Sequence, residues 1–391
     1  MIEMIDLERA LDIVRSTPRA GREETVPLGE ALGRVLTRKI TSPIDSPPFD
    51  KSAMDGFAIG ADDDSSTLRI QHTVAAGDPA ERRVGLGECA RIMTGAMLPP
   101  GTGRVIRKEF TEERSGTIRI MQHETGDNVV RRGSNIWAGA KLLGPKVLAP
   151  QDIGILAASG IAKVPVAVPP RAAVISTGPE IKPPGEQLGP GQIYNSNAPQ
   201  LGAQLVAMRC PCFDLGTVAD EPSTLAYTID SALASNDLVL LTGGVSEGDF
   251  DHVPRCLGEL GAEILFHGVA IKPGKPTLFA RQGDRWIFGL PGNPVSSFVI
   301  FEVFVKLFLY RRMGIDWSPR MVRARLSAPI RRRSTERAEF LPVIVREGLA
   351  TAVAFHGSSH MNALGSANGL ILVERGVAEL PQGMEIDARL I

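Results

Sequence analysis

Three short segments follow apolar runs typical of buried strands, and each combines glycine or proline with small polar or acidic side chains. They are Thr177 to Glu180 after AAVIS, Thr242 to Asp251 after LVLL, and Pro291 to Ser297 after WIFGL. In an open α/β sheet, ligands bind outside the carboxyl ends of the strands. Each segment alone is also consistent with an ordinary turn, but three in one sheet favour a ligand site. The last segment leads into a predicted helix, whose N-terminal N–H groups attract anions.

Two lysines, Lys272 and Lys275, lie in the segment VAIKPGKPT, which proline makes stiff. This stiffness lowers the entropy lost when a lysine is held toward a phosphate or another oxyanion. The segment is not a Walker nucleotide-binding loop, because five residues separate Gly268 from Gly274 and Pro276 follows Lys275. Two solvated surface lysines are the alternative interpretation.

Carboxylates concentrate in similar loops, and these are Asp45, Asp50, Asp55, Glu180, Asp220, Glu247, Asp249 and Asp251. A protein-bound Mg²⁺ typically takes one or two carboxylates together with waters and phosphate oxygens. Turn-forming acids on solvated loops are the alternative, particularly for Asp45, Asp50 and Asp251. Lysines for an anion beside carboxylates for a metal indicate phosphate-ester or oxyanion chemistry.

The composition limits the class of protein. The chain has 391 residues, of which 43% are hydrophobic and 22% charged, and its formal net charge is −1. This predicts a globular protein of roughly two to four domains. A balanced charge provides no overall field for nucleic acid or an anionic membrane, so neither is an expected partner.

Targeting and redox signals are weak. The start, MIEMIDLERALDIV, carries acids where a signal peptide needs bases, so we expect a cytoplasmic protein. The apolar stretch from Phe298 to Tyr310 is shorter than the roughly 18 to 20 residues of a membrane span and predicts a buried helix. The four cysteines are too few for a disulfide framework, and they form no CxxC pair of the kind that a zinc site uses.

The first part of the chain reads as helices followed by a β domain. A helix from Leu7, with Asp6 as its N-cap, and a second short helix near 28–36 precede a proline-rich loop at 42–56. Short alternating apolar runs from 57 to about 135 predict a small β domain.

The pattern changes near Pro169. Apolar runs then alternate with helical patterns, including a helix capped by Asn197 and another from Val295 to Arg312. This alternation predicts a doubly wound, mostly parallel sheet covered on both faces. Short strands return from Met321 and predict a C-terminal β barrel or sandwich. The expected fold class is therefore α/β and multidomain.

A series of motifs carries a family resemblance. In order they are PPFDKSAMDGFAI, RIMTGAMLPPGT, GDNVVRRGSNI, ISTGPEI, GQIYNSN, LTGGVSEGDFD, IKPGKPT, FGLPGNPVSSFVIFE and SANGLILV. Together they resemble the molybdopterin molybdenumtransferase family, of the MoeA and gephyrin E-domain type. The resemblance implies a helical or mixed N-terminal domain at 1–50 plus 136–168, a β-rich domain at 51–135, an α/β molybdopterin-binding domain at 169–320 and a β-barrel domain at 321–391.

The resemblance also implies a reaction and an assembly. Adenylated molybdopterin and molybdate are the implied substrates, Mg²⁺ is the implied cofactor, and AMP is released as molybdenum is inserted. The implied homodimer has clefts between the α/β domain of one subunit and the second domain of the other. A molybdoenzyme, or the enzyme that adenylates the cofactor, is a further expected partner.

Site residues are carried over by motif position. The resemblance implies catalytic roles for Asp55, Thr94, Glu180, Asp220 and Asp249, of which Glu180, Asp220 and Asp249 would bind the metal. It implies cofactor or oxyanion binding by Gly243, Gly244, Ser246, Lys272, Lys275, Pro291, Asn293, Pro294, Ser296, Ser297, Arg337 and Ser358 or Ser359. Because molybdate is a dianion, it requires nearby cations. A surface-charge role remains the alternative for Arg337, which belongs to a basic tract.

The sequence departs from the family pattern at several positions. Pro179 and Asn135 stand where the family usually has Asp, Lys51 replaces a usual Asn, and FLPV lacks a second arginine. Glu247 is a candidate replacement for one lost carboxylate. Two other functions remain open: a molybdopterin adenylyltransferase, because the α/β domain resembles the stand-alone enzyme that adenylates molybdopterin, and a non-catalytic carrier of the cofactor, because of Pro179 and Asn135.

Overall fold

The computed structural model describes residues 4–219, 221–246, 252–354, 357 and 359–391. Two compact units make up the chain. The first comprises Met1–Glu24, Gly33–Thr37 and Pro165–Ile391, and the second comprises Thr25–Leu32 and Arg38–Val164. The four-domain boundaries expected from the sequence stay a prediction.

The described residues form seven α-helices, and all but the second belong to the first unit. The α-helices are α1 Leu7–Arg15, α2 Pro150–Ala158, α3 Asn197–Ala207, α4 Pro222–Ser235, α5 Val253–Glu259, α6 Pro294–Ile300 and α7 Lys306–Arg312. A π-helical segment, Phe301–Val305, joins α6 to α7, so the helix expected from Val295 to Arg312 is present. Within the described residues, every helix is too short or too polar to cross a bilayer.

Among the described residues, the strands before residue 168 have two to five residues each, except for Thr67–Val74. They are β1 Glu23–Pro27, β2 Val35–Leu36, β3 Ile40–Thr41, β4 Lys51–Ser52, β5 Gly56–Ile59, β6 Thr67–Val74, β7 Glu88–Ile92, β8 Arg104–Arg107, β9 Thr111–Arg114, β10 Thr117–Ile120, β11 Val129–Val130, β12 Lys141–Leu143, β13 Lys146–Val147 and β14 Lys163–Ala167. In the second unit, one sheet has the order β8-β5-β7-β6-β10-β9, in agreement with the predicted β domain.

The later strands build the α/β sheet and the C-terminal domain. They are β15 Ala172–Thr177, β16 Ile181–Lys182, β17 Ile193–Tyr194, β18 Cys212–Val218, β19 Leu238–Thr242, β20 Glu263–His267, β21 Ile271–Lys272, β22 Leu278–Gln282, β23 Arg285–Leu290, β24 Met321–Leu326, β25 Ile330–Arg331, β26 Ala338–Arg346, β27 Leu349–Ala352, β28 Gly369–Val373, β29 Glu379–Leu380 and β30 Glu385–Leu390.

The α/β sheet has the order β18-β15-β19-β23-β22-β20. Strands β18, β15, β19 and β23 are parallel, while β22 and β20 extend the sheet in antiparallel pairing. Every residue of β15 and β19 is buried, because helices cover both faces. Leu225 and Ile229 of α4 pack on one face, and Phe308 of α7 contacts Phe279 and Phe288 on the other.

The C-terminal strands close into a barrel. Each strand pairs with the next in the order β26-β27-β24-β30-β28, and β28 also pairs with β26. Strand β21 adds to this barrel by parallel pairing with β26. The predicted C-terminal β barrel and the α/β multidomain fold are therefore confirmed.

Three local predictions need correction. The expected helix near 28–36 is a short 3₁₀ turn, Leu28–Glu30, followed by β2, whose Leu36 pairs with Val166. Asp6 precedes α1 without a side-chain cap; its carboxylate contacts Arg375 instead. Asn197 does not cap α3 either.

The cap of α3 comes from a neighbouring asparagine. Asn195 Oδ1 accepts a hydrogen bond from the Ala198 backbone N–H at 3.0 Å. The Asn197 amide instead donates to Thr242 Oγ1 at 2.6 Å and to the Gly292 carbonyl at 2.7 Å. Sequence preference identifies asparagine as a cap but does not distinguish two asparagines that are two positions apart. The buried Asn197 side chain therefore links the end of β19 to the loop after β23.

Candidate active site

The loops after β15, β19 and β23 meet at the carboxyl ends of three neighbouring parallel strands and form two adjoining clefts. Gly244, Gly292 and Asn293 belong to both. The lysine cleft, which contains Lys272, has a volume of about 480 Å³. The glutamate cleft, which contains Glu180, has a volume of about 410 Å³. All of these residues belong to the first unit.

Most of the cofactor-binding residues that we predicted line these clefts. The lysine cleft brings together Gly244, Ser246, Lys272, Lys275, Pro291, Asn293, Ser296 and Arg337. The glutamate cleft brings together Glu180, Gly243, Gly244 and Asn293. The structure thus places residues from five separate segments of the chain around one continuous depression.

Several predicted residues lie elsewhere. Ser297 is fully buried, and its hydroxyl donates to the Pro291 carbonyl at 2.5 Å, so it supports the cleft wall from behind. Pro294 begins α6, and Ser359 is exposed outside both clefts. Other predicted residues, namely Asp220, Asp249, Glu247, Asp251 and Ser358, lie outside the described residues.

The lysine cleft carries an excess of positive charge. Lys272 Nζ lies 2.7 Å from Glu339 Oε1, and Arg332 Nε lies 3.0 Å from the other carboxylate oxygen of Glu339. Lys275 is half-buried and, within the described residues, forms no ion pair. Arg337 is also half-buried, and among the described residues its guanidinium donates to the Ile271 carbonyl at 3.3 Å. Within the part of the chain that the structure describes, the cations Lys272, Lys275, Arg332 and Arg337 therefore outnumber the carboxylate of Glu339.

Sequence reasoning missed Glu339, although a signal exists. The signal is its place in the segment ERAEF, two residues after the candidate Arg337. The paired strands β21 and β26 place Lys272 directly opposite Glu339. Only this pairing identifies the carboxylate that contacts Lys272.

The glutamate cleft depends on a close approach of two loops. Gly243 has φ +92°, and a Cβ there would lie 2.7 Å from Thr177 Oγ1 and 2.8 Å from the Thr177 carbonyl oxygen. Glu180 is exposed, and its carboxylate folds back toward Gly178, 2.6 Å from the position that a Cβ would occupy. A side chain at Gly243 would therefore displace the cleft wall, whereas a side chain at Gly178 would require the flexible Glu180 carboxylate to move.

Two buried oxygens in the glutamate cleft are unusual. Thr177 Oγ1 and Asn197 Oδ1 have no hydrogen-bond partner within the described residues. The amide nitrogen of Asn197 is fixed by its two bonds to Thr242 and Gly292, which orients Oδ1 as an acceptor. Carboxylate, amide and hydroxyl oxygens are ligands that suit a hard cation such as Mg²⁺. The described oxygen atoms of this cleft are thus of the types that bind Mg²⁺.

The predicted metal ligands are only partly described. Within residues 4–219, 221–246, 252–354, 357 and 359–391, no group of three acidic, histidine or cysteine side chains is placed to hold a metal ion. Of the predicted ligands Glu180, Asp220 and Asp249, only Glu180 belongs to these ranges. The ligand set stays a prediction.

Asp55 and Thr94 form a pair in the second unit. The Thr94 backbone N–H and hydroxyl both donate to Asp55 Oδ1 at 2.8 Å, and Lys108 Nζ lies 3.7 Å from Oδ2. The Thr94 backbone bond, then its hydroxyl bond and then the Lys108 charge hold the pKa of Asp55 below its ordinary value. Asp55 is therefore ionised at neutral pH.

Asp45 and Asp50 have structural partners. Asp45 accepts hydrogen bonds from the Ala138 backbone N–H at 2.8 Å and from Arg132 Nε at 2.6 Å. Asp50 accepts from the Arg132 backbone N–H at 2.7 Å and contacts Arg131 at 3.2 Å. These bonds join the proline-rich loop to the segment around 131–138, so both carboxylates have partners from distant parts of the chain.

Comparisons with known proteins agree along the whole chain. The models of three families match successive segments: the MoeA N-terminal region (domain I and II) at residues 5–160, a probable molybdopterin binding domain at 173–311, and the MoeA C-terminal region (domain IV) at 323–391. Together these matches account for most of the sequence.

Individual relatives are similar over their full lengths. The molybdopterin molybdenumtransferase of Bacillus subtilis is 33% identical over 409 residues, covering 99% of this chain and 94% of that protein. Molybdopterin molybdenumtransferase 2 of Mycobacterium tuberculosis is 33% identical over 395 residues, covering 96% of each.

Solved structures show the same fold. Two structures of the molybdopterin biosynthesis MoeA protein from Pyrococcus horikoshii have TM-scores of 0.84 and 0.87, at 34% and 29% identity, and the alignments cover 99% and 100% of both chains. The resemblance inferred from the motifs is confirmed. The chain belongs to the molybdopterin molybdenumtransferase family of transferases.

Proposed function

We propose that this protein acts in molybdenum cofactor biosynthesis by inserting molybdenum from molybdate into adenylated molybdopterin, with release of AMP. The observation that carries the proposal is the lysine cleft, where Lys272, Lys275 and Arg337 converge around a space large enough for a small dianion. The names of the relatives support the substrate class.

The lysine cleft suits a dianion for an electrostatic reason. Glu339 is buried and held by Arg332, so its charge is compensated before Lys272 is counted. Lys272, Lys275 and Arg337 then provide net positive charge at the cleft wall. Charge-assisted hydrogen bonds from such groups are the strongest that a protein can offer an oxyanion. The cleft therefore favours molybdate over a neutral ligand.

The adjoining glutamate cleft suits the phosphate end of the second substrate. Gly243, Gly244 and Gly292 leave its wall without side chains, so a ligand can approach the backbone closely. When bound, Mg²⁺ would neutralise phosphate oxygens and favour the loss of AMP. Glu180 would hold the ion, and Asp220 and Asp249 are proposed ligands from the family resemblance.

A homodimer with shared sites is part of the proposal. The family resemblance supports Asp55 and Thr94 of one subunit acting with Glu180 and Asp249 of the other. An ionised Asp55, fixed by two bonds from Thr94, is a suitable group for orienting a substrate or metal-bound water. Location in the cytoplasm, and delivery of the product to a molybdoenzyme, are further expectations.

The direct test is incubation with adenylated molybdopterin, Mg²⁺ and molybdate while AMP is measured. We expect AMP release to require both molybdate and the divalent metal. Release in excess chelator would reject the metal role. Consumption of ATP without molybdate would indicate an adenylyltransferase, and binding of adenylated molybdopterin without any response to molybdate would indicate a carrier.

The variant Lys275→Met tests the lysine cleft. Methionine keeps most of the packing of the stem and removes the charge. A charge-assisted hydrogen bond contributes about 1.5–3 kcal/mol, so the half-saturating molybdate concentration should rise at least about tenfold. Lys163→Met is the control, because Lys163 is exposed and lies outside both clefts. Equal behaviour of the two variants would reject the assignment of Lys275.

A further inference from the structure

A buried carboxylate of the barrel, Glu339, contacts a lysine of the lysine cleft, Lys272. Strand β21 leaves the neighbourhood of the α/β sheet and pairs in parallel with β26, so that Ile271 lies opposite Ala338 and Lys272 opposite Glu339. Glu339 comes from a strand 67 positions further along the chain, yet its Oε1 lies 2.7 Å from Lys272 Nζ.

Glu339 is held much more firmly than Lys272. The Glu339 side chain is 8% exposed, and its partner Arg332 is 3% exposed. The Lys272 side chain is 52% exposed. Arg332 is fixed in turn by hydrogen bonds from its guanidinium to backbone carbonyl groups, which belong to Arg337, Val373, Glu374 and Val377. The Glu339 carboxylate is therefore firmly held beside Lys272 Nζ.

A lysine in a cleft binds an anion better when a fixed neighbouring group holds its side chain in place. Its four-carbon stem has many rotamers, and binding an anion requires that most of them be lost. An ammonium group has three N–H donors. The Lys272 ammonium forms an ion pair with Glu339, which leaves N–H donors for a ligand. Because Arg332 compensates the charge of Glu339, Lys272 still contributes positive charge.

We propose that Glu339 is a positioning residue, which orders Lys272 toward the oxyanion in the lysine cleft. This inference rests on the proposed function, because it needs Lys272 to bind molybdate. Glu339 does not touch the substrate in this proposal. It acts through Lys272, by lowering the entropy that the lysine loses when the oxyanion binds.

A double-mutant cycle tests the proposal. The variants are Glu339→Gln, Lys272→Met and the two combined, and the measurements are the half-saturating molybdate concentration and kcat for AMP release. Glutamine keeps the size of the side chain and weakens its hold on the ammonium. We expect Glu339→Gln to raise the half-saturating concentration about three- to tenfold, the range for one side chain that is no longer pre-ordered, with little change in kcat.

The matched control is Glu302→Gln. Glu302 is also a buried glutamate, 7% exposed, whose Oε2 lies 3.0 Å from Lys306 Nζ, and it lines neither the lysine cleft nor the glutamate cleft. A purely structural effect of removing a buried carboxylate would appear in this variant too. We expect its half-saturating molybdate concentration to equal that of the wild type.

The cycle separates the outcomes. If Glu339 acts through Lys272, Glu339→Gln should have no further effect in the Lys272→Met background. An equal increase in both backgrounds would overturn the positioning role while leaving the proposed function intact. A normal molybdate response of Lys272→Met would overturn the assignment of Lys272 itself, and the inference with it.

A second variant guards against misfolding. Removing the charge of Glu339 alone leaves Arg332 buried without a counter-charge, which can prevent folding. Glu339→Asp keeps a counter-charge for Arg332 but shortens the side chain, so the carboxylate lies further from Lys272 Nζ. We expect this variant to show the same three- to tenfold increase in the half-saturating molybdate concentration. A wild-type value in a folded protein would overturn the proposal.

Discussion

Gly243 offers a sharp test of how the two clefts are built. Its φ of +92° disfavours any residue with a Cβ, and an added Cβ would meet Thr177 Oγ1 at 2.7 Å and the Thr177 carbonyl oxygen at 2.8 Å. The backbone conformation alone costs about 1–3 kcal/mol for alanine. Forcing an extra methyl group into a packed site costs about 1–3 kcal/mol more. We therefore expect Gly243→Ala to destabilise the first unit by about 2–6 kcal/mol, the sum of these two ranges.

Gly185 provides a control with almost the same backbone conformation. Its φ is +96°, but an added Cβ would meet no atom within 4 Å. Gly185→Ala should therefore cost only the conformational contribution of about 1–3 kcal/mol. The difference between the two variants isolates the contact with Thr177.

Urea unfolding followed by tryptophan fluorescence measures this difference. Trp286 and Trp317 belong to the first unit, whereas Trp137 belongs to the second and is 61% exposed. In a Trp137→Phe background the fluorescence reports on the first unit alone. If Gly243→Ala and Gly185→Ala lower the free energy of unfolding by amounts within about 0.5 kcal/mol of each other, the close approach of the loops after β15 and β19 is wrong.

Two further predictions concern the second unit and the assembly. Thr94→Val should raise the pKa of Asp55 toward its ordinary value, because the hydroxyl bond is lost while the backbone bond remains. Because the folded pKa is depressed, the stabilisation by Asp55 is present at neutral pH and is lost on acidification, at a higher pH in the variant. Titration of the Asp55 carboxyl carbon by NMR measures this, and an unchanged pKa would contradict it. Mixing Asp55→Ala subunits with Asp249→Ala subunits should restore up to one intact site per heterodimer. Isolated heterodimers without AMP release would reject the shared site.

Much of the fold could be predicted from local patterns. The runs AAVIST and LVLLT are apolar throughout, because a parallel strand between two layers of helices is buried on both faces. The alternation of short strands after Met321 indicated a barrel for the complementary reason, since each strand has one face inside and one outside. Where local preference was ambiguous, as for residues 28–36, the pairing of Leu36 with Val166 decided the structure.

The candidate site likewise contains some residues that the sequence predicted and others that only the structure revealed. The sequence by itself predicted Lys272 and Lys275 as cations for an oxyanion, because prolines stiffen their segment, and the family resemblance added Arg337. It did not identify Glu339, whose contact with Lys272 depends on a pairing between strands 67 positions apart. Nor did it distinguish Asn195, which caps α3, from Asn197, whose buried amide links two segments of the α/β domain. Residue type and spacing thus indicated which chemistry to expect, and only the tertiary structure decided which charges meet, because ion pairs form between groups that the fold brings together from distant segments.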